Sequence, residues 1–221
     1  MRRSLLATIT LTTLLAGTAA AQKSDWTGQI AFGFPVAVGT TADYVGTKYS
    51  WGFGAVYSPQ AQPWGVRLEV NNSRFSITDE EILDFLGAED GHARTWDIGL
   101  TFEAGSPKSN PVRVYGLLGG AMVNRYAAVT EPAVGTGCYW DPWWGYICYP
   151  VAGDAIIADA SDWNFMMKVG AGISYKTSRR GPSLFVEATY NLAMTKNEEQ
   201  ATGGRSGTNT TWIPIMFGVR F

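Results

Sequence analysis

Eight segments of this chain alternate apolar and polar side chains with a period of two, and no stretch holds the roughly 20 consecutive apolar residues that a membrane-spanning helix needs. The period is that of a β-strand with one apolar face. The first segment sets Trp26, Gly28, Ile30, Phe32, Phe34, Val36 and Val38 against Thr27, Gln29, Ala31 and Gly33. The second offers Trp51, Phe53, Ala55 and Tyr57, the third Trp64, Val66, Leu68 and Val70 against Arg67, Glu69 and Asn71, and the fourth Trp96, Ile98, Leu100 and Phe102 against Asp97, Gly99, Thr101 and Glu103. The fifth, from Val112 to about Tyr126, has an open phase, because Leu117-Leu118 and Gly119-Gly120 each double up and permit a bulge. The sixth alternates Trp163, Phe165, Met167, Val169, Ala171, Ile173 and Tyr175 against Asn164, Lys168, Gly170, Gly172 and Ser174. The seventh sets Leu184, Val186, Ala188, Tyr190 and Leu192 against Phe185, Glu187, Thr189 and Asn191, and the eighth carries Ile213, Ile215, Phe217, Val219 and Phe221.

The connections between these segments alternate strictly in length. Those near 39–49, 72–92, 127–161 and 196–208 are long, and those near 59–63, 105–110 and 177–182 are short. Long loops on one side and short turns on the other are expected of a closed antiparallel transmembrane β-barrel of about eight strands, with the long loops external and the turns periplasmic. Alternation alone fits a soluble barrel equally well, with its apolar set inside. The aromatic ends of the apolar sets (Trp26, Tyr57, Trp64, Trp163, Tyr175) favour the inverted arrangement, because a bilayer interface holds such girdles. So do the opposite sets, where glycines mix with Arg67, Glu69, Asp97, Glu103, Lys168, Glu187 and Arg220, a lumen charge network suited to a narrow barrel.

The amino end has the three parts of a secretory signal: Arg2 and Arg3, the apolar run Leu5 to Leu15, and Ala19-Ala20-Ala21 before Gln22. The expected division is a signal peptide over 1–21 and one barrel domain over 22–221. Of 17 Lys and Arg, two leave with the signal, so 15 face 19 acidic residues. That balance, with no clustered basic face, argues against a nucleic-acid partner. Cys138 and Cys148 fit an oxidising compartment and are expected to pair as a disulfide.

The ending Trp212-Ile213-Pro214-Ile215-Met216-Phe217-Gly218-Val219-Arg220-Phe221 resembles the terminal assembly signal of outer-membrane barrels, and Phe185-Val186-Glu187-Ala188-Thr189-Tyr190 resembles the penultimate strand of the small-barrel superfamily that includes the OmpA transmembrane domain and OmpX. The resemblance spans roughly Trp26 to Phe221 as a pattern. It implies an eight-stranded barrel in the bacterial outer membrane, with lipid around it, the barrel assembly machinery engaging Phe217, Val219 and Phe221, and surface loops carrying the activity. It implies no common ligand. Pro35 and Pro214 depart from the pattern, because proline cannot donate to the ladder; a bulge or missing bond is expected at the seam of strands one and eight.

The loops hold the remaining candidates. Tyr139, Trp140, Trp143, Trp144 and Tyr146 lie between the two cysteines, with Tyr149 just after, and exposed aromatic clusters mark recognition surfaces. Packing on the barrel mouth is the alternative for these rings. Asp141, Asp154, Asp159 and Asp162 lack the ordered spacing of a calcium loop. Thr78-Asp79-Glu80-Glu81 before Ile82, Leu83, Phe85 and Leu86, with Gly87 as a stop, predicts a short helix. His92 is the single histidine; Ser73, Ser76 and Glu89 are conceivable partners in a lipid-A-modifying site, without a supporting motif. The expectation is a monomeric, cofactor-free, non-enzymatic barrel that meets an unknown surface ligand through its external loops, the alternatives being the lipid-A enzyme and a narrow solute channel.

Overall fold

A computed structural model of the chain describes residues 25–59, 62–80, 83–84, 88, 90–107, 109–141, 145–178, 181–194 and 209–221; for residues 132, 134–141, 145–154, 157 and 158 it describes the backbone alone. The predicted signal peptide lies outside the described residues. Eight strands form one closed antiparallel barrel in chain order: β1 (Trp26–Ala37), β2 (Val45–Tyr57), β3 (Trp64–Ile77), β4 (Asp90–Gly105), β5 (Val112–Asp141), β6 (Gly145–Lys176), β7 (Ser183–Met194) and β8 (Thr210–Arg220). Closure leaves no sheet edge in the wall, so each strand has a hydrogen-bonding neighbour on both sides, as a lipid surround requires.

The two faces of the wall are inverted relative to a soluble barrel. Phe32, Leu100, Leu118 and Val114 are 65, 59, 59 and 58% exposed on the outside, while Arg67, Asp97 and Glu103 are 2, 3 and 0% exposed within. Aromatic pairs line the inner rim of the outside face, Trp26 on Tyr57 (5.2 Å) and Trp64 on Phe102 (6.1 Å), and Trp51 meets Trp96 edge to face (5.0 Å) toward the outer rim.

β5 runs against β4 in unbroken register from Gly105↔Tyr115 to Asp90↔Thr130. The doubled residues therefore need no bulge: Leu117 is buried in the lumen at 3% and Leu118 faces outward at 59%. This phase turns Arg113 and Tyr115 inward. The irregularity on this strand sits higher, where the β5–β6 register shifts between Val129 and Thr130.

The seam also differs from expectation. Pro35 stands directly opposite Pro214 within nine continuous pairs from Gln29↔Arg220 to Ala37↔Trp212. The bonds Gly28 N→Phe221 O (2.9 Å), Phe221 N→Gly28 O (3.0 Å) and Val38 N→Thr211 O (3.1 Å) fix the alternation, and the two prolines fall in the non-bonded row, where neither nitrogen faces the seam. Each missing donor faces the other neighbour instead. The β1–β2 pairing ends at Gly33↔Ser50, and the β7–β8 pairing skips from Ala188↔Ile215 to Asn191↔Trp212. The prolines thus interrupt the flanking ladders and leave the seam whole.

External connections are shorter than the alternation suggests. A four-residue helix, α1 (Thr41–Tyr44), joins β1 to β2 after Gly39, whose φ of 60° suits glycine. β3 continues to Ile77, and β4 begins at Asp90. Between them Leu83 N donates to Asp79 O (3.2 Å), one helical turn; Glu81, Ile82, Phe85, Leu86 and Gly87 of the predicted helix lie outside the described residues. The segment 127–161 is not a loop. β5 and β6 pair through it to Asp141↔Gly145, leaving 142–144 as the connection. Val, Thr, Ile and aromatic residues favour this ribbon, and Pro132 and Pro150 are tolerated because both of its strands are edges with outward amides.

Candidate functional site: lumen, plug and surface ribbon

The inner half of the lumen is filled by four cations and four carboxylates. Arg67 on β3 reaches Glu187 on β7 (Nη1–Oε2 2.7 Å, Nη2–Oε1 2.7 Å), Glu103 on β4 (3.1 Å) and, more loosely, Glu69 (3.5 Å). Arg220 on β8 joins Glu187 (2.8 Å) and Glu103 (3.1 Å), and Arg113 on β5 joins Glu103 (2.6 Å). Lys168 on β6 sits between Asp97 (2.5 Å) and Glu69 (2.8 Å). Neutral donors complete the set: Tyr115 Oη donates to Glu187 (2.6 Å), Thr101 Oγ1 to Glu69 (3.0 Å) and Asn71 Nδ2 to Asp97 (3.0 Å). The Tyr115 ring finds room because Gly172 faces it; a Cβ there would stand 2.7 Å from the ring. All seven lumen charges named from the sequence meet in this network. Arg113 and Tyr115 belong to it as well; their signal was hidden by the open phase of the fifth segment.

Charges so far from water are stable only when paired and hydrogen-bonded on every side. Here each carboxylate has at least two polar partners, and cation and anion numbers match, so the arrangement ties β3, β4, β5, β6, β7 and β8 together through the barrel's centre. A cavity of about 40 Å³ remains beside it, lined by Gln29, Asn191 and Thr189 among others, with room for a few water molecules.

An apolar plug closes the lumen above the charges. Trp212, Met166 and Val123 are fully buried there with Phe75, Ala121 and Ala193, and Phe75 meets Trp212 edge to face at 6.3 Å. Sequence reading missed it, because Phe75, Met166 and Trp212 break the polar set of an otherwise wet-looking face. Above the plug lies a vestibule of about 490 Å³ lined by Tyr44, Phe75, Ala127 and Thr210, with Arg125 paired to Asp162 at its wall. Arg125 also donates to Thr210 Oγ1 (2.5 Å).

The β5–β6 ribbon rises beyond the wall. The last β5 residue with a β4 partner is Thr130, opposite Asp90, and the last β6 residue with a β7 partner is Phe165, opposite Met194. From Thr130 to Asp141, at about 3.3 Å per residue, the ribbon extends about 35 Å along its strands. Cys138 stands directly opposite Cys148 in its register. Tyr139, Trp140, Tyr146 and Tyr149 lie on the ribbon's described backbone, and Trp143 and Trp144 fall in the connection outside the described residues. Of the aspartates weighed for calcium, Asp162 pairs with Arg125; the described residues contain no cluster of three or more metal-ligating side chains.

His92 is a β4 residue, opposite Ser76 on β3, with its ring 6.1 Å from that of Tyr126. Among the described residues no hydrogen bond joins His92 to Ser76. Ser73 turns inward and accepts from Ser50 Oγ (2.8 Å). Glu89 lies outside the described residues.

A search of the curated proteins returns no match. The solved structure of the Neisserial surface protein A superposes with a TM-score of 0.51 at 16% identity, over 89% of this chain and 96% of that one. A major outer membrane protein from Thermus thermophilus superposes with a TM-score of 0.51 at 13% identity, over 89% and 98%. At such identities both show the shared fold alone. The outer membrane protein beta-barrel domain matches residues 7–221. An eight-stranded wall with an apolar exterior, a charged interior and this match together place the chain in the outer membrane protein β-barrel family, resident in the bacterial outer membrane.

Proposed function

We propose that this protein is a non-enzymatic surface-interaction barrel whose recognition element is the β5–β6 ribbon, stiffened by a Cys138–Cys148 disulfide. One observation carries the reading: β5 and β6 continue as a paired ribbon far past their neighbours, and the two cysteines face each other across it. Opposed cysteines on antiparallel strands have the Cα spacing a disulfide needs. Closing the segment between the cysteines, whose sequence carries Tyr139, Trp140, Trp143, Trp144 and Tyr146, would leave its backbone less entropy to lose on binding. The filled lumen below favours this reading over a solute channel.

In the same reading the charge network has a structural role, and the strand ending in Phe217, Val219 and Phe221 serves recognition by the assembly machinery. Replacing both cysteines with Ser tests the ribbon's part. The variant should still fold into a heat-modifiable barrel, and its retention on glycan and matrix-protein arrays should fall. Undiminished retention by a variant proved to lack the cross-link would overturn the proposal.

A further inference from the structure

Two arginines stand directly opposite each other on the outside of the barrel. Arg74 on β3 pairs in register with Arg94 on β4, a placement in which like charges repel. Both keep the outward phase of Leu68 and Ile98, while their neighbours Phe75 and Thr95 are buried on the lumen side. Among the described residues neither arginine has a carboxylate within ion-pair distance. Each is held instead by a ring on the far side: the Arg74 guanidinium lies 5.6 Å from the ring centre of Tyr49 on β2, and that of Arg94 lies 4.6 Å from Tyr126 on β5.

The height of this patch is set by the register. Trp64 pairs with Ala104 at the inner aromatic belt, and Arg74 and Arg94 each lie ten residues along their strands from that pair. Ten residues at about 3.3 Å, tilted by about 40°, rise about 25 Å, the height of the apolar band of an outer-membrane barrel. The arginine row is also one step beyond the row in which Asn72 pairs with Trp96 and with Trp51. It therefore stands where hydrocarbon gives way to headgroups of the outer leaflet.

We propose that Arg74 and Arg94 bind the phosphate of a phosphorylated outer-leaflet lipid, lipid A by chemical class. A phosphate supplies the missing negative charge, and guanidinium groups recognise its oxygens through charge-assisted, geometrically matched bonds. The stacked tyrosines hold both side chains at the boundary, so the lipid meets a site whose long side chains are already ordered. The site is separate from the β5–β6 ribbon and does not depend on its role.

The test is native mass spectrometry of the full-length folded barrel in detergent, titrated with purified lipid A and with the same lipid after phosphatase treatment. The wild-type protein should retain lipid A and lose it when the phosphates are removed. R74Q and R94Q, each proved folded by heat-modifiable migration, should each weaken retention about fivefold, the effect expected of one basic residue at an anionic membrane surface. Equal retention of the phosphorylated and dephosphorylated lipids by the wild-type barrel would overturn the proposal without recourse to any variant. So would unchanged retention by R74Q/R94Q. Release of lipid A by millimolar inorganic phosphate would mark a free-anion site and overturn the lipid assignment.

Discussion

Arg67 on β3 and Glu187 on β7 meet across the full width of the barrel in a bidentate pair, with both N–O distances at 2.7 Å. In an eight-stranded ring these strands are diametrically opposite, so the pair is a strut. Removing one partner leaves the other buried and under-compensated. E187Q or R67M should destabilise the barrel by about 3–5 kcal/mol. The double variant R67M/E187M should cost less than the sum of R67M and E187M, by at least about 1 kcal/mol, because the residues share a network. Urea unfolding in detergent micelles measures both quantities, and strict additivity would contradict a direct strut.

The plug sets the expected conductance. With Trp212, Met166 and Val123 fully buried over a salt-bridged layer, monomers in planar bilayers should show no nanosiemens-scale conductance. Trp212→Ala should cost about 3–5 kcal/mol through the cavity it leaves, and the charged layer beneath should still block a large current. A stable nanosiemens conductance from the wild-type monomer would contradict the filled lumen.

Phe221 closes the seam through its backbone, donating to Gly28 O (3.0 Å) and accepting from Gly28 N (2.9 Å). Its ring also occupies the space over Gly28, where a Cβ would come within 2.8 Å of it. Deletion of Phe221 should reduce the outer-membrane yield of the protein in cells, and Gly28→Val should slow refolding in vitro. Normal yield after the deletion would remove the terminal strand from the assembly signal.

His92→Ala should leave the lipid A mass profile unchanged in cells expressing the protein. His92 faces Ser76 across the β3–β4 ladder without a hydrogen bond to it, and a nucleophile needs its base within such reach. Loss of a lipid A modification in that variant would revive the lipid-modifying alternative.

The strand pattern was legible wherever the bilayer imposes it. Between the aromatic belts each outward side chain must be apolar and each inward one must fit the lumen, and there the period-two reading of Arg67, Glu69, Asp97, Glu103, Lys168, Glu187 and Arg220 matches the inward face found. From the outer membrane boundary upward the outward face can also be polar and the constraint lapses. Asn72, Arg74 and Ser76 therefore look like loop although β3 carries them, and the ribbon, interrupted by Pro132, Gly135, Gly137 and Pro150, looks like a long connection although it is paired to its tip. The plug was hidden for the opposite reason. Phe75, Met166 and Trp212 are apolar on a face otherwise read as polar, and alternation cannot tell a lumen stopper from a lipid-facing residue.

The ribbon bears the functional claim, and shortening it is the most direct trial. A variant in which a two-residue Asn-Gly turn replaces residues 132–154, joining Glu131 to Ala155, keeps the whole β4–β5 pairing up to Asp90↔Thr130 and all of the plug. Binding of the purified barrel and of this variant to glycan and matrix-protein arrays should be compared after both are shown to migrate as folded, heat-modifiable species. The account predicts that every ligand retained by the wild type is lost from the shortened barrel while folding is unaffected. Retention of the same ligands by the shortened, folded barrel would contradict it.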